Sequence, residues 1–324
     1  MTAATDLLTP TGSPGGTAGE TTYRSRSATR LFWERFREDR AAVFGLGVIC
    51  FLILIAAFGG PLAAWVTGHP SLQAYNQTML DQFGIPKGPN SHFWFGADAT
   101  GRDLFVRTMY GARTSLLVGV AASLIAVFVG LIVGLSAGFF GGWADTGLSR
   151  AGDVMLSLPS LLIAIGIVAA CTLQGCLGGF IQPGIRVVVM VIALFTWPYI
   201  ARIVRGYTLS IREREFVEAS RSLGASNRRI IFREILPNLI GPIIVYTTLL
   251  IPQNILFEAA LSYLGLGVPP DVASWGSLLN QAQAYYDTAW WLMLFPGLFL
   301  VMTTLAFNLL GDGLRDALDV RADR

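Results

Sequence analysis

Charged residues are missing from six long stretches of this chain, and that spacing limits the fold more than any motif does. The apolar parts lie at 43–66, 114–144, 154–185, 187–201, 235–257 and 288–311. A helix needs about 20 mostly apolar residues to cross a bilayer. Backbone inside hydrocarbon must also satisfy its own hydrogen bonds. The expectation is an all-α integral membrane protein with six transmembrane helices. The fourth stretch has only 15 residues, roughly 22 Å of helix at ~1.5 Å per residue. It must extend at both ends, with Arg186 and Arg202 reaching for the interfaces. Composition agrees: 53% of residues are hydrophobic and 14% charged, against about 25% charged in soluble domains. A soluble globular enzyme is excluded on that ground, and a net charge of +2 carries no nucleic-acid signature.

An even number of spans puts both termini on one side. With both ends cytoplasmic, the inner segments hold 18 of the 23 basic residues, eight of them at 202–234. The segment 264–290 has no Lys or Arg. The positive-inside rule therefore sets the orientation. Trp290 and Trp291 then open the last span at the outer face, and Arg315 closes it inside.

The first 30 residues are rich in Pro, Gly, Ser and Thr and lack an apolar face, which reads as a disordered cytoplasmic tail. A cleaved signal peptide is not expected, because apolar sequence begins only after about 40 residues. Leu31, Phe32, Trp33 and Phe36 interleave with Arg30, Arg35, Arg37 and Arg40. That pattern reads as a short interfacial helix, or as a plain basic anchor.

Four sets of residues invite a functional reading. Ala126, Gly130, Gly134, Gly138 and Gly142 recur every fourth position. They form one smooth helix face for close packing, either within the chain or on another subunit. Asn254 and Glu258 are four apart in the fifth span, after Gln253 and Pro252. Intramembrane polar groups are costly. The pair either lines a translocation pathway or makes interhelical hydrogen bonds. Cys171 and Cys176 flank the outer loop between spans three and four, where a disulfide is permitted; Cys50 reads as packing. The single Lys, Lys87, follows Gly84-Ile85-Pro86 and not a phosphate loop, so a Walker A site is absent. The two His, His69 and His92, form no zinc spacing with the Cys.

The fourth set is the loop 202–236. Its 213–223 stretch favours helix, Gly224 is a natural stop, and Ser226 can cap a second helix running to Leu236 before Pro237. Phe216, Val217, Ala219 and Leu223 form an apolar face without an evident core. Glu218-Ala219-Ser220, Gly224 and Ile235-Leu236-Pro237 together resemble the EAA motif of type I ABC importer permeases. Three more stretches resemble the dipeptide/oligopeptide permeases, C-type subunit. They are Phe95-Gly96-Ala97-Asp98 through Leu116, Leu261-Ser262-Tyr263-Leu264-Gly265 with Ser274-Trp275-Gly276, and Gly311-Asp312-Gly313-Leu314-Arg315-Asp316. Ser220 replaces the usual second Ala, and Val320 stands where a Pro is common.

The resemblance covers about residues 30–321. It implies a bacterial multi-pass inner-membrane protein with the type I permease fold. It also implies a second, B-type permease subunit, two ATPase subunits carrying ATP and Mg, an extracytoplasmic binding protein and a peptide substrate. This chain would hold no cofactor of its own. Residues Phe216, Val217, Glu218, Ala219, Ser220, Leu223, Gly224 and Ala225 would form the ATPase-coupling element. The expected organisation is a tail at 1–30, interfacial helix and first span at 31–67, and outer loop at 68–112. A five-span core at 113–311 and a C-terminal tail at 312–324 complete it. A same-family importer of nickel, glutathione or another small solute is the near alternative. A secondary transporter is more distant, since the chain lacks two homologous halves. An intramembrane enzyme lacks a catalytic His or metal set.

Overall fold

The computed structural model describes residues 28–174, 176, 181–269 and 271–318. The proposed disordered tail and the Val320 region fall almost wholly outside those residues. Among the described residues the chain is helical, with only isolated β-bridges. Among the described residues five helices are long and apolar enough to cross a membrane, or six if a bent pair counts as one span.

Helix α1 (Ala28–Glu38) is amphipathic. Phe36 packs with Ala42, Ala317 and Leu314, so α1 is tied to the last helix as well as to the surface. Asp39 then caps α2 (Arg40–Thr67), accepting from the Ala41 and Ala42 amides at 2.9 and 3.1 Å. A π-turn at Ile55–Gly59 precedes Pro61, whose missing N–H would otherwise break the ladder. Gly68, at φ +73°, ends α2.

Residues 68–103 fold as a cap over one end of the helices. His69 Nδ1 lies 2.7 Å from Asp103 Oδ2, and its ring stacks on Phe93 at 4.3 Å. Burial and the Asp103 charge push the Tyr75 hydroxyl pKa upward. Asp98, fully buried, accepts from Thr100 and Arg102 and faces Arg107 at 3.2 Å.

Helix α3 (Leu104–Phe140) begins about nine residues before the expected core boundary at 113. Asp103 caps it by accepting from Phe105 and Val106. The outer loop is accordingly shorter than 68–112. Charge-based segmentation stopped at Arg113, but the helix runs on through that exposed residue and through Arg107, which is buried against Asp98, to its cap at Asp103.

Gly141, at φ +68°, turns the chain into α4 (Gly142–Ser157). After Pro159 the chain continues as α5 (Ser160–Gln174), and the two helices differ in direction by 87°. The straight span expected at 154–185 is therefore broken. Leu158 is extended, as a residue before proline prefers, and Pro159 has no N–H to give. Cys171 in the last turn of α5 and Cys176 just beyond it form the permitted disulfide, with Cα atoms 4.9 Å apart.

Helix α6 (Ile185–Arg212) has 28 residues, so the short fourth stretch does extend at both ends. It pairs with α3 along most of its length. A Cβ on Gly130 would lie 2.8 Å from Ile200 Cβ. One on Gly134 would lie 2.5 Å from the Ala201 carbonyl, and one on Gly138 2.7 Å from Thr208 Cβ. Ala126 is fully buried in the same seam. The small-residue face thus meets a helix of its own chain. Gly142 does not belong to it: at φ +54° it lies past the helix end, with nothing near its Cβ direction.

Beyond α6 come α7 (Glu215–Ser222) and α8, which runs from Asn227 to Tyr263. The second loop helix does not stop at Pro237 as expected. A π-turn at Ile230–Ile235 leads into the α-helical stretch that Pro237 opens, where a missing N–H costs little. A short α9 (Trp275–Ala282) folds back against α8. The last helix, α10 (Trp291–Leu318), continues seven residues past the expected end at 311. Its Gly313 sits directly against Ala42 of α2.

Candidate coupling surface and buried polar junction

The α7 knob is built by its stop signal. Gly224 has φ +80°, a region that L side chains avoid at a cost of about 1–2 kcal/mol. Its amide donates to the Arg221 carbonyl at 2.9 Å, and the Ala225 amide to the Ser220 carbonyl at 3.0 Å. That is the Schellman pattern with Gly224 at C′. Ser226 caps the next helix by accepting from the Arg229 amide. Ser220 Oγ donates to Glu234 Oε1 at 3.3 Å, bridging the two helices.

The apolar residues of the knob divide into two groups. Val217 is fully buried with Ile230, Ile235 and Leu239, so part of the face does have a core. Phe216 and Leu223 are 43% and 88% exposed. Ala219 and Glu218 are also exposed, and Ala225 is half-buried. Glu218 and Arg221 line a cavity of about 450 Å³ together with Arg212 and Phe139. Arg212 Nη1 donates to the carbonyls of Gly138 and Phe139 at 3.2 and 3.1 Å, closing the free end of α3. One side of the knob is thus anchored in the α3–α6–α8 core, while the other presents two large apolar side chains and a carboxylate.

Asn254 and Glu258 do not line an open path: both are fully buried. Asn254 Nδ2 donates to Ser123 Oγ at 2.8 Å. Glu258 accepts from Ser115 at 3.1 Å and Ser262 at 2.6 Å. Ser115 Oγ in turn accepts from the Trp275 amide, and Trp275 Nε1 donates to the Thr108 carbonyl. This junction fixes α9 to α3 and α8. Gly276 permits the approach, since a Cβ there would lie 2.6 Å from Ala259 Cα. Ser115 and Trp275 fell within stretches read only for their resemblance, and Ser123 escaped notice, because hydroxyls in apolar helices carry no periodic signal. The Ser274-Trp275-Gly276 stretch was the available cue.

Helix α4 is clipped to α6 at the same end as the knob. Arg205 pairs with Asp145, with Nη2 2.7 Å from Oδ2, and Arg202 with Asp153 at 2.8 Å.

Residues 108–324 match the family described as the binding-protein-dependent transport system inner membrane component. Residues 27–82 match the N-terminal TM domain of oligopeptide transport permease C. The chain is 38% identical over 316 residues to the dipeptide transport system permease protein DppC of Alkalihalophilus pseudofirmus, covering 98% of this chain and 97% of that one. It is 40% identical over 294 residues to the glutathione transport system permease protein GsiD of an Escherichia coli strain, covering 91% of each. Among solved structures, a chain of the MetNI methionine ABC transporter, in inward-facing conformations, aligns with a TM-score of 0.53. That alignment has 19% identity and covers 65% of this chain and 96% of that one. The fold is therefore the ABC importer permease fold. The chain belongs to the binding-protein-dependent transport inner-membrane component family and carries the N-terminal domain of its oligopeptide permease C branch.

Proposed function

We propose that this multi-pass membrane protein is the C-type permease subunit of an ATP-driven peptide importer. Its partners would be a second, B-type permease, two ATPase subunits that bind ATP and Mg, and an extracytoplasmic binding protein. Both termini and the knob would face the cytoplasm, as the arginine distribution requires. The observation that carries the reading is the knob itself. A short helix stopped at Gly224 and anchored by Val217 and the Ser220–Glu234 contact is a stiff element. Phe216, Leu223 and Glu218 on its outer side would seat in the ATPase, with Ala219, Ser220 and Ala225 setting its backbone path. Hydrolysis belongs to the partners, because the single Lys sits in no phosphate loop.

The relative named for glutathione transport matches this chain about as well as the one named for dipeptides. Glutathione is itself a small peptide, so both fit one substrate class. The test is uptake by the full complex in proteoliposomes. ATP-dependent entry of a di- or tripeptide is expected, with the purified subunit alone releasing no phosphate. Normal ATP hydrolysis without entry of any peptide or glutathione would overturn the proposal.

A further inference from the structure

A larger cavity bordering the knob lies not on the Glu218 side but between the ends of α6, α8 and α10. It encloses about 860 Å³, within the ~300–1,000 Å³ range of small-ligand sites. Tyr207 and Ser210 of α6 form one wall, and Asn238 and Tyr246 of α8 another. Phe216 of α7 contributes to the rim, next to the coupling surface. Among the described residues its charged lining groups are Arg214 and Arg315, both cationic and from separate elements. Neither forms an ion pair among the described residues, whereas Arg202 and Arg205 nearby are both paired. Their acidic sequence neighbours Glu213, Glu215 and Asp316 do not line the cavity.

The α8 wall has a second property. Pro242 has no N–H, so the Asn238 carbonyl one turn earlier lacks its helical donor. The cavity therefore combines two cationic heads with the polar side chains and aromatic faces of its walls. A short peptide carries the matching groups: a terminal carboxylate, amide N–H donors and apolar side chains. We propose that this cleft is an anion-binding vestibule of the translocation path, where Arg214 and Arg315 meet the carboxylate of a peptide leaving toward the cytoplasm. The assignment rests on the transport reading and on the orientation stated above.

The experiment probes the cleft directly in the full complex, in inside-out vesicles. Ser210→Cys is made with Cys50 replaced by Ala, and its reaction with small anionic and cationic methanethiosulfonates is timed. A cleft bearing two unpaired cations should favour the anionic reagent by about tenfold over the cationic one, a modest case of electrostatic focusing. Arg214→Gln with Arg315→Gln should bring the ratio near one. If the pair fails to assemble, each single variant should lower the ratio part of the way. Tri-alanine should slow the reaction, and tri-alanine amide should not. Equal rates for the two reagents would overturn the proposal, as would equal protection by acid and amide. Protection that appears only with anionic phospholipid would also overturn it, assigning the cleft to a lipid phosphate. Uptake by the unmodified complex is measured in parallel. Its failure with charge bias and protection intact would remove the transport reading and leave the anion site standing.

Discussion

Gly134 tests whether the α3–α6 seam holds the fold together. A Cβ at this position would lie 2.5 Å from the Ala201 carbonyl oxygen and 2.7 and 2.9 Å from Val204 Cβ and Cγ1. Ordinary contact begins near 3.4 Å, so the Ala201 contact alone asks the helices to part by roughly 1 Å. The carbonyl belongs to helix backbone and cannot rotate away. Parting the seam forfeits contacts at the neighbouring Gly130 and Gly138 as well. Overpacking of this kind costs typically ~1–3 kcal/mol, a factor of about 5 to 150 in a folding equilibrium by the ~1.4 kcal/mol-per-decade rule. Gly134→Ala should therefore shorten the half-life of the detergent-solubilised protein at elevated temperature, and Gly134→Leu should abolish recovery. Gly147→Ala, in α4 with nothing near its Cβ, controls for the loss of glycine flexibility. Ile132→Leu, 51% exposed on the opposite side, controls for a Leu placed on the exposed face. The assay is the monodisperse fraction on size exclusion after heating. Gly134→Ala and Gly147→Ala of equal half-life would refute the packing reasoning.

Other consequences are separable. Gly224→Val should keep the protein inserted but cut ATP-driven uptake at normal subunit content, because the strain is local: nothing lies within 4 Å of its Cβ direction. Gly224→Asn should be milder, since Asn tolerates that backbone region; uptake by the Val variant equal to wild type would sink the coupling assignment. Glu258→Gln should retain more thermal stability than Glu258→Ala, which leaves buried Ser115 and Ser262 short of a partner at a cost of ~1–3 kcal/mol; the reverse order would count against the junction. In detergent-denatured protein Cys171 and Cys176 should resist alkylation until reductant is added, while Cys50 reacts; free labelling of all three would exclude the bond.

The spans were legible in the sequence because charge and length speak directly to a bilayer. Their ends were legible only where a charge meets water. Helix α3 passes through exposed Arg113 and through Arg107, buried against Asp98, so it starts well before the apolar run does. Asp312 and Asp316 are charged and exposed, yet α10 runs through them because Gly313 and Ala317 pack against α2 and α1. The bend at Leu158-Pro159 was not read from the sequence, and α4 is held to α6 by the Asp145–Arg205 and Asp153–Arg202 pairs, which bring together residues far apart in the chain. Gly224 was legible for the opposite reason. A stop signal is a property of a few consecutive residues and needs no distant partner.

The same distinction separates the knob from the helices it would move. Its shape is local, set by Gly224 and Ser226, so it can keep that shape while its surroundings shift. Its attachments are not local. Val217 enters the core of α6 and α8, Ser220 reaches Glu234 on α8, and Arg212, just before α7, holds the end of α3. A push on Phe216 and Leu223 would therefore reach three spans at once through short, stiff links rather than along one helix. The α3–α6 seam has no side chain on its glycine face to absorb a displacement, so the two helices would respond as a unit. Under this geometry the compliant element is elsewhere, at the break between α4 and α5, where Leu158 and Pro159 interrupt the helical hydrogen bonds. Inward and outward states of the proposed importer would then differ chiefly in the angle at that break. A spin-label pair spanning Ser157 and Ser160 neighbours should change its distance between nucleotide-free and ATP-bound complexes, while a pair across Gly134 and Val204 should not.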